Sequence, residues 1–232
     1  MTQGLHNNGW TEVPPDSYWM TWHPNDPLLF LAAFLIGSIP FGLIVGRILF
    51  KSDLRQSGSG NIGAANALRS YGKTGGAIVL ILDALKGFVP AHWLGPLFSV
   101  HAFSDWHVID ISGSAFVALF AVLGHCYSPW LRFNGGKGVA TFLGSLFALS
   151  WPIGLAFIAI WLLVVVPTRF ASLGSIVASL ATPVLFWLSH KDLGAAIATT
   201  LIALVIVWKH RENIVRLREG RENKLSFGRS GA

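Results

Sequence analysis

The sequence has little charge, a single cysteine and no pattern of metal ligands. Asp, Glu, Lys and Arg make up 12% of the 232 residues, whereas soluble proteins carry about 25%. This shortage excludes an ordinary soluble globule, because the excess apolar surface must face lipid. With Cys126 alone, an internal disulfide is impossible. The eight histidines lack metal-ligand spacing, so we expect neither a metal nor a cofactor.

Residues 1–27 lack the basic start and apolar centre of a signal peptide. They contain aromatic residues that suit the headgroup layer of a membrane: Trp10, Tyr18, Trp19 and Trp22. We therefore predict that residues 1–27 form a polar extension outside the cytoplasm.

Hydrophobic residues make up 53% of the sequence and are gathered into seven runs: 28–46, 76–98, 111–124, 139–151, 152–167, 171–189 and 193–208. About 20 residues are needed to cross the ~30 Å hydrocarbon core, so the first run is long enough, whereas the third and fourth are short enough to be re-entrant. We predict an all-α integral membrane protein with about seven transmembrane helices in a domain over 28–208. Five helices plus a re-entrant hairpin are the alternative.

Basic residues fall in alternate connections between these runs: Lys51, Arg55, Arg69 and Lys73, then Arg132 and Lys137, then Arg169, then a basic tail over 209–232. The other connections carry Asp105, Asp110 and Asp192 beside Lys191. Because basic loops stay in the cytoplasm, we predict an amino terminus outside and a carboxyl terminus inside. We expect four tail residues to set this topology and contact anionic lipid: Arg216, Arg218, Arg221 and Lys224.

The first cytoplasmic loop contains GSGNIGAANALR at 58–69. Gly58, Gly60 and Gly63 match the G-x-G-x-x-G spacing of dinucleotide sites, but they follow a membrane run rather than a strand, which excludes that interpretation. Glycines allow backbone N–H groups to surround an anion, and a helix beginning near Asn61 would direct its positive end toward it. The pattern therefore indicates an anion site.

Three side chains of the same loop suit phosphate. Ser59 offers a hydroxyl and Asn66 an amide, and the planar guanidinium of Arg69 can bind two phosphate oxygens. A flexible linker is the alternative, although linkers rarely combine amides and an arginine with glycines.

The second loop, GHCYSPWLRFNGGKGVAT, places Lys137 among Gly135, Gly136 and Gly138. A Walker phosphate loop requires glycine where this chain has Leu131 and a hydroxyl residue after the lysine, so nucleotide binding is not supported. A lysine in a glycine turn at the start of a helix can still bind an anion as a point charge.

Other polar groups have two interpretations. His125 is either a proton carrier or a structural histidine, and its neighbour Cys126 is interpreted as a small filler. Asp83 and Lys86, three residues apart inside an apolar run, form either a functional ion pair or a structural clamp.

The third segment, KHRENIVRLREGRENK, covers 209–224 and follows the last apolar run. As a helix, it places His210 and Asn213 on one face, because residues three apart are neighbours. Basic residues commonly anchor a helix that leaves lipid, whereas a histidine and asparagine pair suggests chemistry.

Three segments in order resemble the motifs of the bacterial acyl-phosphate:glycerol-3-phosphate acyltransferase family, the PlsY type: GSGNIGAANALR (58–69), HCYSPWLRFNGGKGVAT (125–141) and HRENIVRLREGRE (210–222). GSIPFG (37–42) and LDALKGFVP (82–90) are also similar to it. Ala65 and Asn134 depart from the family, which commonly has threonine and lysine there.

The resemblance implies an enzyme of phospholipid synthesis in the bacterial inner membrane, with its active site facing the cytoplasm. It would move an acyl chain from acyl phosphate to the 1-hydroxyl of glycerol 3-phosphate, giving lysophosphatidic acid and phosphate. By this resemblance we assign catalysis to Arg69, Lys137, His210 and Asn213. Substrate binding is assigned to the other candidates: Ser59, Gly60, Asn61, Gly63, Asn66, His125, Gly135, Gly136 and Gly138.

The expected partners are acyl phosphate, glycerol 3-phosphate and membrane lipids, with no nucleic acid. A peripheral enzyme that produces acyl phosphate is a further candidate partner. The alternative function is transport of small phosphorylated anions. A transporter would place its site near the bilayer midplane between repeats, and the two halves of this sequence show no internal repeat.

Overall fold

The computed structural model describes residues 26–99, 111–190 and 192–225. The predicted extension over residues 1–27 lies almost wholly outside this part. Within these ranges the chain forms ten α-helices: α1 Asp26–Gly37, α2 Phe41–Leu49, α3 Ala64–Trp93, α4 Gly95–Ser99, α5 Ile111–Cys126, α6 Val139–Leu149, α7 Trp151–Thr168, α8 Ala171–His190, α9 Leu193–Lys209 and α10 Arg211–Arg218.

Every apolar run of the sequence becomes helical, which confirms the predicted all-α membrane architecture. In the described part, five helical segments are long and apolar enough to cross a membrane: Asp26–Leu49, Ala64–Leu97, Gly113–Leu131, Trp151–Thr168 and Ala171–His190. Helices α9 and α10, which are bent by 57° relative to each other, pass the same test only when the two are counted as one span. Helix α6 has only 11 residues and is the short segment beside the second motif loop.

The first span is interrupted between α1 and α2 by Ser38, Ile39 and Pro40. Proline has no N–H to donate, and two carbonyls at this break accept hydrogen bonds from distant side chains. Ser128 Oγ donates to Ser38 O at 2.7 Å, and Lys86 Nζ donates to Ile39 O at 2.8 Å. The break therefore connects the first span to α3 and to the loop between α5 and α6.

Helix α3 folds back on itself at Gly72. This residue has φ 69° and ψ −169°, a backbone conformation that is essentially restricted to glycine. The helical turns on either side consequently lie against each other, and a Cβ on Gly76 would come within 2.8 Å of Leu68 Cα. The fold-back returns the first motif to the same region as the middle of α3.

Glycines allow α3 and α6 to approach closely. A Cβ on Gly87 would lie 1.9 Å from Thr141 O, and a Cβ on Gly144 would lie 1.9 Å from Ala84 O. Such contacts between small residues are typical of helix packing in membranes. The α3–α6 pair forms the wall against which the functional loops are arranged.

The connections between helices alternate between two ends of the bundle. At one end the tail meets the α7–α8 turn, where Leu225 N donates to Arg169 O at 2.8 Å and Arg169 Nε donates to Leu225 O at 3.0 Å. At the other end, His190 Nε2 lies 3.2 Å from Ser150 Oγ. The α6–α7 connection and the end of α8 therefore meet there. Which of these two ends faces the cytoplasm stays a prediction of the sequence.

Candidate active site

The second motif loop is held by the carbonyl groups at the end of α5. Gly136 N donates to His125 O at 3.0 Å, and Gly135 N donates to Cys126 O at 3.2 Å. Only glycine fits at Gly136, because a Cβ there would lie 2.0 Å from His125 Nε2. The loop thus presents Lys137 at the N-terminal end of α6, as the sequence predicts.

The first motif loop is organised around the buried side chain of Asn66. Its Oδ1 accepts from Ser59 N at 2.8 Å. Its Nδ2 donates to three backbone carbonyls within 3.0 Å: Leu54, Ser57 and Asn61. The amide that we predicted to bind substrate therefore shapes the loop, and both of its polar ends are occupied by backbone groups.

This loop directs a helix start and a cation into the same space. Helix α3 begins at Ala64, with Gly63 as its N-terminal cap, close to the start predicted near Asn61. The side chain of Arg69, one and a half turns along the helix, donates from Nη2 to Ser59 Oγ at 3.3 Å. A helix start, a hydroxyl and a guanidinium are thus available to one anion.

His210 lies at the bend between α9 and α10. Its Nδ1 is 2.8 Å from Ile206 O, and because a carbonyl oxygen only accepts, Nδ1 is the protonated nitrogen. With the proton on Nδ1, the neutral imidazole has Nε2 as a hydrogen-bond acceptor.

Asn213 and Glu222 connect the third motif to the second. Lys137 Nζ donates to Asn213 Oδ1, and Asn213 Nδ2 donates to Glu222 Oε1 at 2.6 Å. Glu222 also accepts from Ser172 Oγ at 2.8 Å and from Arg216 Nε at 2.8 Å. Burial opposes ionisation of Glu222, but these three hydrogen bonds outweigh it and hold the pKa of the carboxyl below its ordinary value.

These groups surround a single cavity of about 540 Å³. All but three of the predicted site residues line it: Ser59, Asn61, Gly63, Asn66, Arg69, His125, Lys137, Gly138, His210 and Asn213. The exceptions, Gly60, Gly135 and Gly136, lie in the same loops without reaching the cavity wall. The three motifs therefore meet, although they are far apart in sequence.

Several polar residues of the lining were not among the predicted site residues. Arg216 was expected to contact anionic lipid, but it lines the cavity, together with Ser172, Glu222 and Asp83. No signal in the sequence distinguished Glu222 from the two other glutamates of the basic tail, Glu212 and Glu219. Ser172 lies outside the three motifs, and its partner Glu222 lies 50 positions away in the sequence.

The cavity has an apolar side as well as a charged one. Helices α3, α6 and α7 supply its apolar wall: Leu80, Leu143, Phe157, Ile158, Trp161 and Leu162. Leu80 and Leu162 are 43% and 45% exposed and belong to two segments long and apolar enough to cross a membrane. The cavity therefore joins a charged end to an apolar wall that lies between candidate membrane spans.

Comparison with known proteins identifies the family. A family model described as glycerol-3-phosphate acyltransferase matches residues 27–220. This chain belongs to the glycerol-3-phosphate acyltransferase family. Curated relatives with that name include a protein of Nitrobacter winogradskyi, 45% identical over 87% of this chain and 97% of its own length. Another, from Roseobacter denitrificans, is 42% identical over 83% of this chain and 90% of its own length.

Solved structures support the same family. The glycerol 3-phosphate form of PlsY (YgiH), an integral membrane glycerol 3-phosphate acyltransferase, is 39% identical with a TM-score of 0.77, and the match covers 87% of this chain and 96% of that one. Its lysophosphatidic acid form has 37% identity and a TM-score of 0.75 over the same shares. The predicted family and membrane fold are confirmed, and the protein is a multi-pass membrane acyltransferase of phospholipid biosynthesis.

Proposed function

We propose that this protein transfers a fatty acyl group from acyl phosphate to the 1-hydroxyl of glycerol 3-phosphate. The products are lysophosphatidic acid and inorganic phosphate. The observation that supports this most strongly is one cavity whose charged end is built by all three motif loops and whose apolar wall is formed by helices long and apolar enough to cross a membrane. The two ligand forms of the PlsY neighbour agree with this proposal.

Three cations and two helix starts supply the anion-binding end. Arg69, Lys137 and Arg216 line it, and Glu222 offsets one of these charges. The N-terminal ends of α3 and α6 add partial positive charge without adding ionised groups. Both substrates carry phosphate, so we assign this end to the two phosphate groups. A guanidinium suits a bidentate contact and a lysine suits a point contact.

The reaction needs little beyond positioning. The glycerol oxygen attacks the carbonyl carbon of acyl phosphate, an ester C–O bond forms, and the bond from that carbon to the phosphate oxygen breaks with its electron pair. The hydroxyl proton goes to the departing phosphate. Holding the two reactants together and stabilising developing charge with Lys137 supply most of the acceleration. His210 Nε2 accepts a hydrogen bond from the attacking hydroxyl and aligns it.

We further propose that the cavity opens on the cytoplasmic side of the bacterial inner membrane, with the amino terminus outside. The loops that line the cavity carry most of the basic residues, and basic loops stay in the cytoplasm. Acyl phosphate would then be supplied by a peripheral enzyme on that side. The position of the cavity at one end of the bundle, together with the family, favours acyl transfer over transport.

A donor comparison tests the function. Purified protein is incubated with radiolabelled glycerol 3-phosphate and either palmitoyl phosphate or palmitoyl-CoA, and labelled lysophosphatidic acid and free phosphate are measured. We expect equal amounts of both products from palmitoyl phosphate and no labelled lipid from palmitoyl-CoA. Equal rates with the two donors, or uptake of the anion into proteoliposomes without product, would overturn the assignment.

The pH dependence of the reaction should reflect the protonation state of Lys137. Burial, with added repulsion from Arg216, lowers the pKa of Lys137 to about 8. Phosphate binding needs the protonated ammonium, so we expect kcat/KM for glycerol 3-phosphate to fall as pH rises through about 8. The matched variant is Lys137→Arg, whose side chain stays charged, and its residual activity should lack this decline. An unchanged decline in the variant would show that another group is responsible.

A further inference from the structure

Three buried groups lie beside the second motif loop and have no part in the reaction described above. Asp83 and Lys86 of α3 and His125 of α5 are 1–3% exposed. Lys86 Nζ lies 2.9 Å from Asp83 Oδ1 and donates to Ile39 O at 2.8 Å. Lys86 thus fixes Asp83 to the break in the first span, and the predicted intramembrane ion pair is present.

The hydrogen-bonding capacity of this cluster is incompletely used. Among the described residues, Asp83 Oδ2 and His125 Nδ1 have no hydrogen-bond partner, and the partner of Asp83 Oδ1 is Lys86. His125 Nδ1 lies 3.8 Å from Asp83 Oδ1, and both side chains line the cavity. A buried polar atom without a hydrogen bond is destabilising, so a role in stability alone does not account for these two atoms.

His125 in turn shapes the loop that carries Lys137. Its carbonyl accepts from Gly136 N at 3.0 Å. Its ring lies so close to Gly136 that even a Cβ would be 2.0 Å from Nε2. The imidazole therefore packs directly against Gly136, the residue before Lys137.

We propose that Asp83, held by Lys86, is a positioning residue that orients His125 and, through it, the phosphate-binding loop. A shift of His125 Nδ1 toward Asp83 Oδ1 by less than 1 Å would form the missing hydrogen bond, and active-site hydrogen bonds are often long before substrate binds. Asp83 acts on the position of Lys137 without touching the reacting atoms. This inference rests on the proposed function only in taking glycerol 3-phosphate as the ligand of the loop.

A double variant without either charge distinguishes a positioning role of Asp83 from an ion pair that only stabilises the fold. Asp83→Asn alone leaves Lys86 charged and buried, so we expect a lower melting temperature. Asp83→Asn with Lys86→Gln removes both charges and retains a donor for Ile39 O, which should restore most of the melting temperature. If Asp83 positions the loop, the double variant should still bind glycerol 3-phosphate more weakly than the wild type. We expect its dissociation constant and its KM for glycerol 3-phosphate to rise by about tenfold, the effect of losing one hydrogen bond to a charged group. Its kcat should change less. Wild-type affinity in this stable double variant would overturn the proposal.

A second cycle covers the case in which the double variant does not fold. His125→Phe keeps a planar ring but removes Nδ1, and we expect weaker binding of glycerol 3-phosphate. Adding Asp83→Asn to His125→Phe should weaken binding no further, because Asp83 acts through His125; a full additive loss would contradict this. Thr199→Val is the control, since Thr199 is buried and bonds only to carbonyls of its own helix.

Binding is measured by calorimetry as well as by turnover, so two failures can be told apart. A wild-type protein that binds glycerol 3-phosphate but forms no lysophosphatidic acid would overturn the proposed function alone. A productive wild type whose variants bind equally tightly would overturn the positioning role alone.

Discussion

Replacing Lys137 or Arg69 with alanine should nearly abolish acyl transfer while the protein still inserts and folds. Each side chain lines the cavity from a different motif loop, and a charge-assisted hydrogen bond contributes about 1.5–3 kcal/mol. Loss of one such contact lowers kcat/KM by about 10–150-fold, and by more where the groups act as a unit. Initial rates with palmitoyl phosphate and glycerol 3-phosphate, measured on purified variants, test this expectation.

Lys73→Ala is the matched control for these two variants. Lys73 is also a basic residue of α3, but it is exposed and lies outside the cavity lining. We expect its kinetics and melting temperature to equal those of the wild type. Wild-type kinetics in both Lys137→Ala and Arg69→Ala would remove the basis for placing substrate phosphate in this cavity.

Replacing Glu222 with alanine should damage both stability and catalysis. The side chain is 6% exposed and accepts from Asn213, Ser172 and Arg216. Without it, Arg216 has no carboxylate opposite it and Asn213 is free to turn away from Lys137. Hydrogen bonds to a charged group contribute about 1.5–3 kcal/mol each, and Arg216, at 29% exposed, keeps some contact with solvent. We therefore expect a lower melting temperature and a loss of kcat/KM comparable to that of Lys137→Ala.

The same variant has a distinct pH signature. Glu222 stabilises the charged form of Lys137, whereas Arg216 destabilises it. Removing Glu222 should therefore lower the pKa of Lys137 further, and the decline of residual activity should begin below pH 8. Glu219→Ala is the control, because Glu219 is 45% exposed and pairs with Arg221 away from the cavity. Equal effects of the two variants would mean that Glu222 has no special place in the site.

Local patterns in the sequence predicted much of the fold and of the candidate site. Each of the seven apolar runs became helical because a chain in lipid must satisfy its backbone hydrogen bonds within the segment. Glycines around Lys137 correctly indicated a loop at a helix start, since Gly136 cannot carry a side chain. The i, i+3 spacing of Asp83 and Lys86 likewise indicated the observed ion pair.

Contacts between segments far apart in the sequence could not be predicted from such local patterns. The fold-back of α3 depends on a single backbone conformation at Gly72, which spacing does not reveal. The predicted helix after His210 ends at Arg218. Gly220 has φ 68°, so the chain turns there and brings Glu222 back to Ser172. The partners of the Asn66 side chain are one backbone N–H and three backbone carbonyls, and such contacts have no signature in a sequence.

The most direct test of the shared cytoplasmic cavity is chemical labelling from each side of the membrane. Ser59→Cys and Asn223→Cys place thiols in the cavity lining, Asn134→Cys places an exposed thiol outside it, and His190→Cys marks the opposite end. The native Cys126 is buried and should stay unreactive toward a membrane-impermeant maleimide.

We expect the first three cysteines to react in inverted inner-membrane vesicles and His190→Cys to react only in intact spheroplasts. Glycerol 3-phosphate should slow the labelling of Ser59→Cys and leave that of Asn134→Cys unchanged. Reaction of Ser59→Cys and Asn223→Cys from opposite sides of the membrane, or equal rates with and without glycerol 3-phosphate, would contradict a single phosphate-binding cavity.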